Sequence, residues 1–372
     1  MTFNSTLLAR FAMTLAIAGL GGWLFLRLHL PLPWMLGALT AVTLCALAKV
    51  PVYVPGPVRS PMTAIIGVMM GAGFHPDLMG QILGWLPSFV GLVAFTVAAG
   101  TACTAYLYWV ARFDRVTSYF AGMPGGLVEM ISIGRARGGD ELTITLMHSS
   151  RILIIVMTLP FLVQLLEGTS IAAAPPIGHP IAETPLTTFV LLFFCAVVGV
   201  YAGAWLGLPA HTLLGPMLIS ATLHVSGLTT FVPPTEIVSI AQVALGAVLG
   251  SRFTATTPRQ VLKILGLAAG MALVLISVVV ICASIVSSFT QLSLASLVLA
   301  YSPGGLTEMG LVAVSIQADI AFVAAHHLFR VLLVMVCAGP VFAFLGRFGG
   351  SHKTRSGPVD GAAARIRETS DG

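Results

Sequence analysis

Two carboxylates stand out because each lies within an otherwise apolar segment. Glu129 occurs in GMPGGLVEMISIG, which begins at Gly122, and Glu308 occurs in YSPGGLTEMGLVAVSIQ, which begins at Tyr301. Proline removes an amide donor and glycine permits irregular backbone, so each Pro-Gly-Gly predicts a break in a helix. The glutamate then falls in the first turn of the restarting helix, where exposed amides favour a negative charge.

The predicted breaks lie at Pro124, Gly125 and Gly126 and at Pro303, Gly304 and Gly305. Irregular backbone at membrane depth is tolerated only where protein buries it or where it lines a water-filled cavity. Two interpretations of the glutamates follow from this. They could cap the restarting half-helices, or they could line a central path and bind a proton or a cation.

Each break is followed by a histidine and an arginine three residues apart, namely His148 and Arg151 in the first stretch and His327 and Arg330 in the second. This spacing places both side chains on one face of a helix. An arginine inside an apolar helix is costly unless it is paired, and we expect the glutamate of the same break to be its partner. The pair could be a structural ion pair that holds the break, an anion-binding or proton-relay site, or both.

The surrounding chain is too apolar to be a soluble protein. Of its 372 residues, 57% are hydrophobic and 8% are charged, and the mean hydropathy is +0.98. Soluble domains carry about 25% charged residues. Several apolar runs approach or exceed the about 20 residues that a helix needs to cross a bilayer. We therefore expect an all-α polytopic membrane protein whose main partner is the lipid bilayer.

Other functional classes find little support in the sequence. It has no nucleophile elbow, no phosphate loop and no histidine or cysteine spacing typical of a metal site. The basic residues are scattered over loops and a tail and form no groove-reading motif, so no direct nucleic-acid partner is expected. We predict a protein that is not an enzyme and that uses no metal and no cofactor.

The chain contains an internal duplication. MPGGLVEM aligns with SPGGLTEM at an offset of 179 residues, and the same offset relates the His-Arg pairs, Asp140 to Asp319, and Gly67 and Gly71 to Gly246 and Gly250. Both aspartates are expected to be N-caps, and the glycines fit close helix packing. The predicted organisation is a first repeat over 7–170, a Pro-rich linker over 171–184, a second repeat over 185–348 and a disordered cytoplasmic tail over 349–372.

Each repeat is predicted to contain five membrane-crossing helices and one Pro-Gly-Gly segment. The expected helices are 8–27, 32–49, 60–80, 86–111 and 141–166 in the first repeat, and 186–205, 210–227, 238–256, 264–287 and 319–345 in the second. If each Pro-Gly-Gly segment enters and leaves on one side, every lysine and arginine except Arg27, Arg151 and Arg330 falls on the side of the N-terminus. Because such charges mark cytoplasmic loops, both termini are expected inside and the second repeat is inverted relative to the first. The sequence leaves open whether the Pro-Gly-Gly segments enter and leave the membrane on one side or cross it fully.

The paired PGG-x-x-EM and H-x-x-R blocks resemble the AbrB family of bacterial inner-membrane proteins, in which this hydrophobic module is duplicated. The resemblance extends over residues 7–347. Members are labelled regulators of gene expression or ammonia monooxygenases, and neither a DNA-binding domain nor a metal constellation is evident here. A looser likeness to transporters of the bile-acid and cation/proton antiporter type implies inverted five-helix repeats with broken helices.

The function predicted from these patterns is movement of an unidentified small solute or ion by a secondary-transporter-like protein of the inner membrane, with proton coupling left open. One alternative is a membrane sensor or regulatory protein that affects gene expression indirectly. An ammonia monooxygenase-like enzyme is the least favoured alternative. The oligomeric state, including a homo-oligomer, is also left open.

Overall fold

A computed structural model describes residues 5–77, 80, 82–168, 178–253, 258–315 and 318–348. Over these ranges the regular structure is helical, and no β-strand occurs. The predicted disorder of 349–372 and half of the predicted linker, 171–177, lie outside the described residues.

The described α-helices are α1 (Ser5–Arg27), α2 (Pro33–Leu47), α3 (Arg59–Gly71), α4 (Leu86–Trp109), α5 (Arg115–Gly122), α6 (Leu127–Ala136), α7 (Glu141–Glu167), α8 (Leu186–Trp205), α9 (His211–Val225), α10 (Thr235–Gly250), α11 (Pro258–Phe289), α12 (Leu294–Tyr301), α13 (Leu306–Ser315) and α14 (Ile320–Phe348). Short 3₁₀ turns occur at Gly56–Val58, Ile82–Trp85, Ile181–Glu183 and Ser251–Phe253.

Seven helical segments of the described chain are long and apolar enough to cross a membrane: Ser5–Arg27, Ile82–Trp109, Glu141–Leu166, Leu186–Trp205, Thr235–Phe253, Leu262–Phe289 and Ile320–Leu345. The expected polytopic helical class is therefore confirmed. At 15 residues each, α2 and α9 extend only about 22 Å, because a helix rises 1.5 Å per residue. They are too short to cross a core of about 30 Å alone, and the arrangement with ten crossings stays a prediction.

The glycines of α3 bring this helix against the backbone of α9. A methyl group added at Gly67 would overlap the carbonyl oxygen of Leu213, and one at Gly71 would crowd the carbonyl oxygen of Met217. Backbone atoms of a packed helix cannot move aside as a flexible side chain can. The predicted close packing at these glycines is confirmed.

The same contact recurs between α10 and α2, with the halves of the chain exchanged. Gly246 faces the carbonyl oxygen of Met35, and Gly250 faces that of Leu39, each at a distance that leaves no room for a methyl group. In each of these two contacts, a helix from one half of the sequence packs against a helix from the other half. The two halves are therefore in direct backbone contact at two places.

The short helices on either side of the Pro-Gly-Gly segments lie among the long ones. α5 packs against α4 and α7, and α12 packs against α11 and α14. Large side chains that are fully buried, including Phe95, Phe120, Tyr301 and Phe322, fill the space around them. This packing places both breaks inside the protein.

Candidate functional site

The two Pro-Gly-Gly segments are extended links between short helices. α5 ends at Gly122 and α6 begins at Leu127, and the link has φ −62° and ψ 133° at Met123 and φ −66° and ψ 139° at Gly126. Ser302, which follows α12, is also extended, with φ −59° and ψ 128°. Because these φ angles are negative, neither link needs glycine for a left-handed conformation.

The carboxylate of each glutamate lies against the second glycine of its own break. Glu129 lies in the first turn of α6 and Glu308 in the first turn of α13. A methyl group at Gly126 would overlap Oε2 of Glu129, and one at Gly305 would overlap Oε2 of Glu308. Each carboxylate therefore folds back over the break and occupies the place where a side chain would stand. Both glutamates are half-buried.

Arg330 of α14 holds the second break through its backbone carbonyl groups. Its Nη1 donates to the carbonyl oxygens of Tyr301 and Ser302, both at 2.8 Å, and its Nη2 donates to Nδ1 of His327 at 3.1 Å. Nε2 of His327 donates to the carbonyl oxygen of Leu299 at 3.0 Å. Because a guanidinium only donates and a carbonyl only accepts, His327 is neutral with its proton on Nε2.

Arg151 and His148 of α7 hold the first break in the same way. Nη1 of Arg151 donates to the carbonyl oxygen of Met123 at 2.9 Å, and Nη2 reaches that of Gly125 at 3.5 Å. Nε2 of His148 donates to the carbonyl oxygen of Phe120 at 2.8 Å. Both pairs are almost completely buried, with no side chain more than 2% exposed.

The expected ion pairs between arginine and glutamate are not formed. Within the described residues, neither Arg151 nor Arg330 has a carboxylate partner, and the side chains bind the ends of α5 and α12 instead. The last carbonyl groups of a helix lack partners and carry the negative end of its dipole, so they attract a guanidinium. The glutamates belong to the next helix and lie beyond the break.

The two breaks lie close enough for their arginines to interact. The guanidinium of Arg330 is electrostatically coupled to that of Arg151. In the described chain, Nε of each arginine and Nδ1 of His148 are buried without a hydrogen-bond partner. The two guanidinium groups therefore lie within electrostatic range of each other, and each binds backbone carbonyl groups of its own break.

Glu308 has charged neighbours that the sequence did not indicate. The half-buried Arg252, in the 3₁₀ turn that follows α10, interacts electrostatically with Glu308 and with Arg59 at the start of α3. The carboxylate of the second break therefore has a guanidinium group from another element within electrostatic range. Only the chain fold brings them together, since they are far apart in sequence.

His326 is a further buried residue at the second break, and the sequence interpretation missed it. Its Nδ1 donates to the carbonyl oxygen of Phe322 at 2.7 Å, its Nε2 lies 2.7 Å from Oγ of Ser88, and its ring stacks on Phe89 at 4.1 Å. The hydroxyl of Tyr301 donates to the carbonyl oxygen of the same serine at 2.7 Å. Because Met147 occupies the matching place in the first repeat, the repeat pattern carried no signal for His326.

The two aspartates act as helix caps. Oδ1 of Asp140 accepts from the amide of Leu142 at 3.2 Å, and Oδ1 of Asp319 accepts from the amide of Phe322 at 3.0 Å. The predicted N-caps are therefore confirmed, and they set where the His-Arg helices begin.

Among the described residues, no three or more histidine, cysteine, aspartate or glutamate side chains come together as a group that could hold a metal ion. The buried histidines that are present use a ring nitrogen to bind backbone carbonyl groups. Their arrangement is that of side chains that hold backbone in place.

These features define an α-helical polytopic membrane protein with two buried helix breaks, each held by a His-Arg pair and followed by a glutamate. The chain belongs to the AbrB family: the sequence model of that family, described as transition state regulatory protein AbrB, matches residues 34–346.

Two relatives match almost the whole chain. A Bacillus subtilis (strain 168) protein described as uncharacterised, YhjN, is 28% identical, with 94% of this chain and 97% of the relative covered. A candidate regulator of Escherichia coli (strain K12) named AbrB is 23% identical, with 87% of this chain and 93% of the relative covered.

Proposed function

We propose that the protein is a secondary transporter of the bacterial inner membrane that moves a small solute through a site at its two helix breaks. The observation that carries the proposal is that a half-buried glutamate follows each of two breaks inside a bundle of spanning helices. The arginines and histidines have a sufficient structural role, because they bind the backbone of the breaks. Among the described residues, the glutamates make no comparable hydrogen bonds to the backbone of the breaks, and ionisable groups at membrane depth are commonly functional.

The backbone conformation supports two structural repeats within the chain. Leu32 and Ala210, which precede α2 and α9, both adopt the left-handed conformation, with φ 45° and 47°. Such a conformation is rare for residues other than glycine, asparagine and aspartate. Its occurrence directly before α2 and α9, the second helix of each proposed repeat, together with the reciprocal glycine packing of α3 and α10, favours two structural repeats of common origin.

Inverted repeats and cytoplasmic termini are part of this proposal, and they rest on the distribution of basic residues. In a variant without native cysteines, Arg115→Cys should react with an impermeant maleimide only from the cytoplasmic side. Gln291→Cys, at the matching turn of the second repeat, should react only from the outside. The measurement compares right-side-out and inside-out vesicles, and labelling of both positions from the same side would refute the inversion.

Glu308→Gln tests the transport proposal, because it removes the charge and keeps the size of the side chain. We expect solute-driven proton flux to fall to background in proteoliposomes that contain a pH-sensitive dye. The solutes added to the proteoliposomes include small organic acids, amino acids, amines and sugars.

Glu183→Gln is the matched control, since Glu183 is exposed on a 3₁₀ turn away from the breaks. This variant should retain the flux of the original protein. Glu129→Gln, measured in the same proton-flux assay, shows whether the carboxylate of the first break is also needed for flux. Full flux in both break variants would contradict a role for these carboxylates.

We also propose that the protein is not an enzyme and that any influence on gene expression is indirect. The description of the family and the name of the Escherichia coli relative point to regulation. A transporter can have such an effect by changing the concentration of a solute that a separate regulator detects. No direct contact with nucleic acid is required.

A further inference from the structure

His224 lies in the last turn of α9 and is 7% exposed. Its Nδ1 lies 2.8 Å from the carbonyl oxygen of Ser220, one turn earlier in the same helix. Its Nε2 lies 2.9 Å from the carbonyl oxygen of Phe231, in the turn that leads to α10. The imidazole ring therefore bridges the end of a helix and the turn that follows it.

Every partner of the His224 ring is an acceptor. A carbonyl oxygen accepts hydrogen bonds and cannot donate one. The hydroxyl of Ser220, 3.5 Å from Nδ1, donates to the carbonyl oxygen of Val68 at 2.9 Å, so it too can only accept from the ring. Each neutral form of imidazole has one nitrogen without a proton. In this bonding, His224 therefore carries a proton on both nitrogens and a positive charge.

This bonding distinguishes His224 from the other buried histidines of the described chain. His327 accepts from a guanidinium, and Nδ1 of His148 has no hydrogen-bond partner among the described residues. His326 has the hydroxyl of Ser88 as one partner, and a hydroxyl can either donate or accept. Each of these three rings can be neutral in its observed contacts, whereas His224 cannot.

The surroundings of His224 favour its charge through backbone dipoles. The last carbonyl groups of a helix carry the negative end of its dipole, which stabilises a charged histidine in the last turn. Among the described residues, no carboxylate forms an ion pair with His224. The titratable groups on the elements around it are Cys195 of α8, the mutually paired His75 and Asp77 beyond α3, His179 and Glu183 of the linker, and Glu236 at the start of α10.

We propose that His224 is a proton-binding site: the charged ring holds the turn over 226–234 against the end of α9, and the neutral ring releases it. Without its second proton, one nitrogen directs a lone pair at a carbonyl lone pair. Ser220 belongs to α9, whereas Phe231 lies in a turn, so the turn is the part that moves.

Release of the turn changes a polar cavity at this end of the molecule. Phe231 lines a cavity of about 590 Å³ together with Thr229, Thr230 and residues of the linker and α8. The protonation state of His224 therefore controls the order of one wall of this cavity. In the proposed topology the turn lies on the outer side of the membrane, so it responds to the external pH.

The first repeat contains a matching turn without the histidine. At an offset of 178 residues, which relates the second helices of the two repeats, His224 corresponds to Ala46 and Phe231 to Tyr53. The amide of Tyr53 donates to the hydroxyl of Thr14 at 2.9 Å. This bond involves no group that titrates with histidine, so the turn over 48–56 serves as an internal control.

The first test measures amide hydrogen exchange of the full-length protein in lipid nanodiscs from about pH 5.5 to about pH 8.5, which spans the range in which histidine changes charge. Exchange rates are divided by the intrinsic rate at each pH. Because the charged form is the bonded one, protection of 226–234 is present at low pH and is lost as the pH rises. We expect a loss of roughly tenfold, the factor for one hydrogen bond made by a charged group. The 48–56 turn should keep its protection.

Variants assign the pH response to one ring. His224→Gln does not titrate and keeps a donor for one carbonyl group, so exchange of 226–234 should no longer depend on pH. His211→Gln is the matched control, since His211 is exposed at the start of the same helix, and it should keep the response of the original protein. A response that persists in His224→Gln, that is lost in His211→Gln, or that is equal in the 48–56 turn would overturn the inference.

A second measurement observes the rings in the original protein and needs no variant to fold. Solid-state NMR of protein labelled with ¹⁵N only in histidine distinguishes charged from neutral rings, and slow exchange with deuterated water identifies the buried ones. We expect one buried ring that is charged at about pH 5.5 and donates from both nitrogens. If all buried rings are neutral at that pH, His224 is not a proton-binding site. Neither measurement uses a transported solute, so the result does not depend on the transport proposal.

Discussion

Arg330→Met is expected to destabilise the protein strongly, because the carbonyl groups of Tyr301 and Ser302 would lose their donor in a place that water cannot reach. Each buried carbonyl without a partner costs about 1–3 kcal/mol. The apolar side chain also removes a buried charge, which offsets part of this loss. The net effect should lower the melting temperature of the purified protein by about 4–10 °C.

Comparison with related variants isolates the role of the guanidinium. Arg330→Lys keeps the charge but lacks the planar fork, so it should recover only part of the stability. Arg151→Met should cost less, because Arg151 makes one contact of 2.9 Å and a second that is stretched to 3.5 Å. The exposed Arg10→Met is the control and should change little. A melting temperature of Arg330→Met equal to that of the original protein would show that the break does not need this donor.

Gly246→Ala is expected to destabilise the fold, against the usual preference of helices for alanine. In an open helix position, alanine is more stable than glycine by about 1 kcal/mol. At Gly246 the added methyl group would meet the carbonyl oxygen of Met35, the β-carbon of Ala38 and the amide nitrogen of Leu39. Two of these are backbone atoms, so α2 and α10 must separate. Overpacking of this kind costs about 1–3 kcal/mol or more.

Gly266→Ala on α11 is the matched control, because nothing lies within 4 Å of the added methyl group. We expect opposite signs: a higher melting temperature for Gly266→Ala and a lower one for Gly246→Ala. Gly67→Ala, at the equivalent contact between α3 and α9, should behave as Gly246→Ala does. Equal stabilisation by alanine at all three positions would contradict the close packing of the two halves.

The transport proposal depends on features that both halves share, namely the breaks and the glutamates that follow them.

Much of the local structure was determined by the sequence alone. The Pro-Gly-Gly motifs placed the ends of α5 and α12, Asp140 and Asp319 placed the starts of the helices that follow, and the duplicated glycines marked close helix contacts. These features depend on neighbours within one turn of the chain, where residue type and spacing control the backbone directly. The class of protein also followed directly, because composition determines whether a chain can cover its surface with charge.

Only the tertiary structure decided what the buried polar groups bind. Spacing showed that His327 and Arg330 share a helix face, but not that this face meets the carbonyl end of α12 rather than Glu308. The electrostatic interaction of Arg252 with that glutamate and the bonding of His326 to Ser88 likewise join elements far apart in the chain. Such contacts depend on how the helices pack in three dimensions, and residue spacing within a single helix carries no information about that packing.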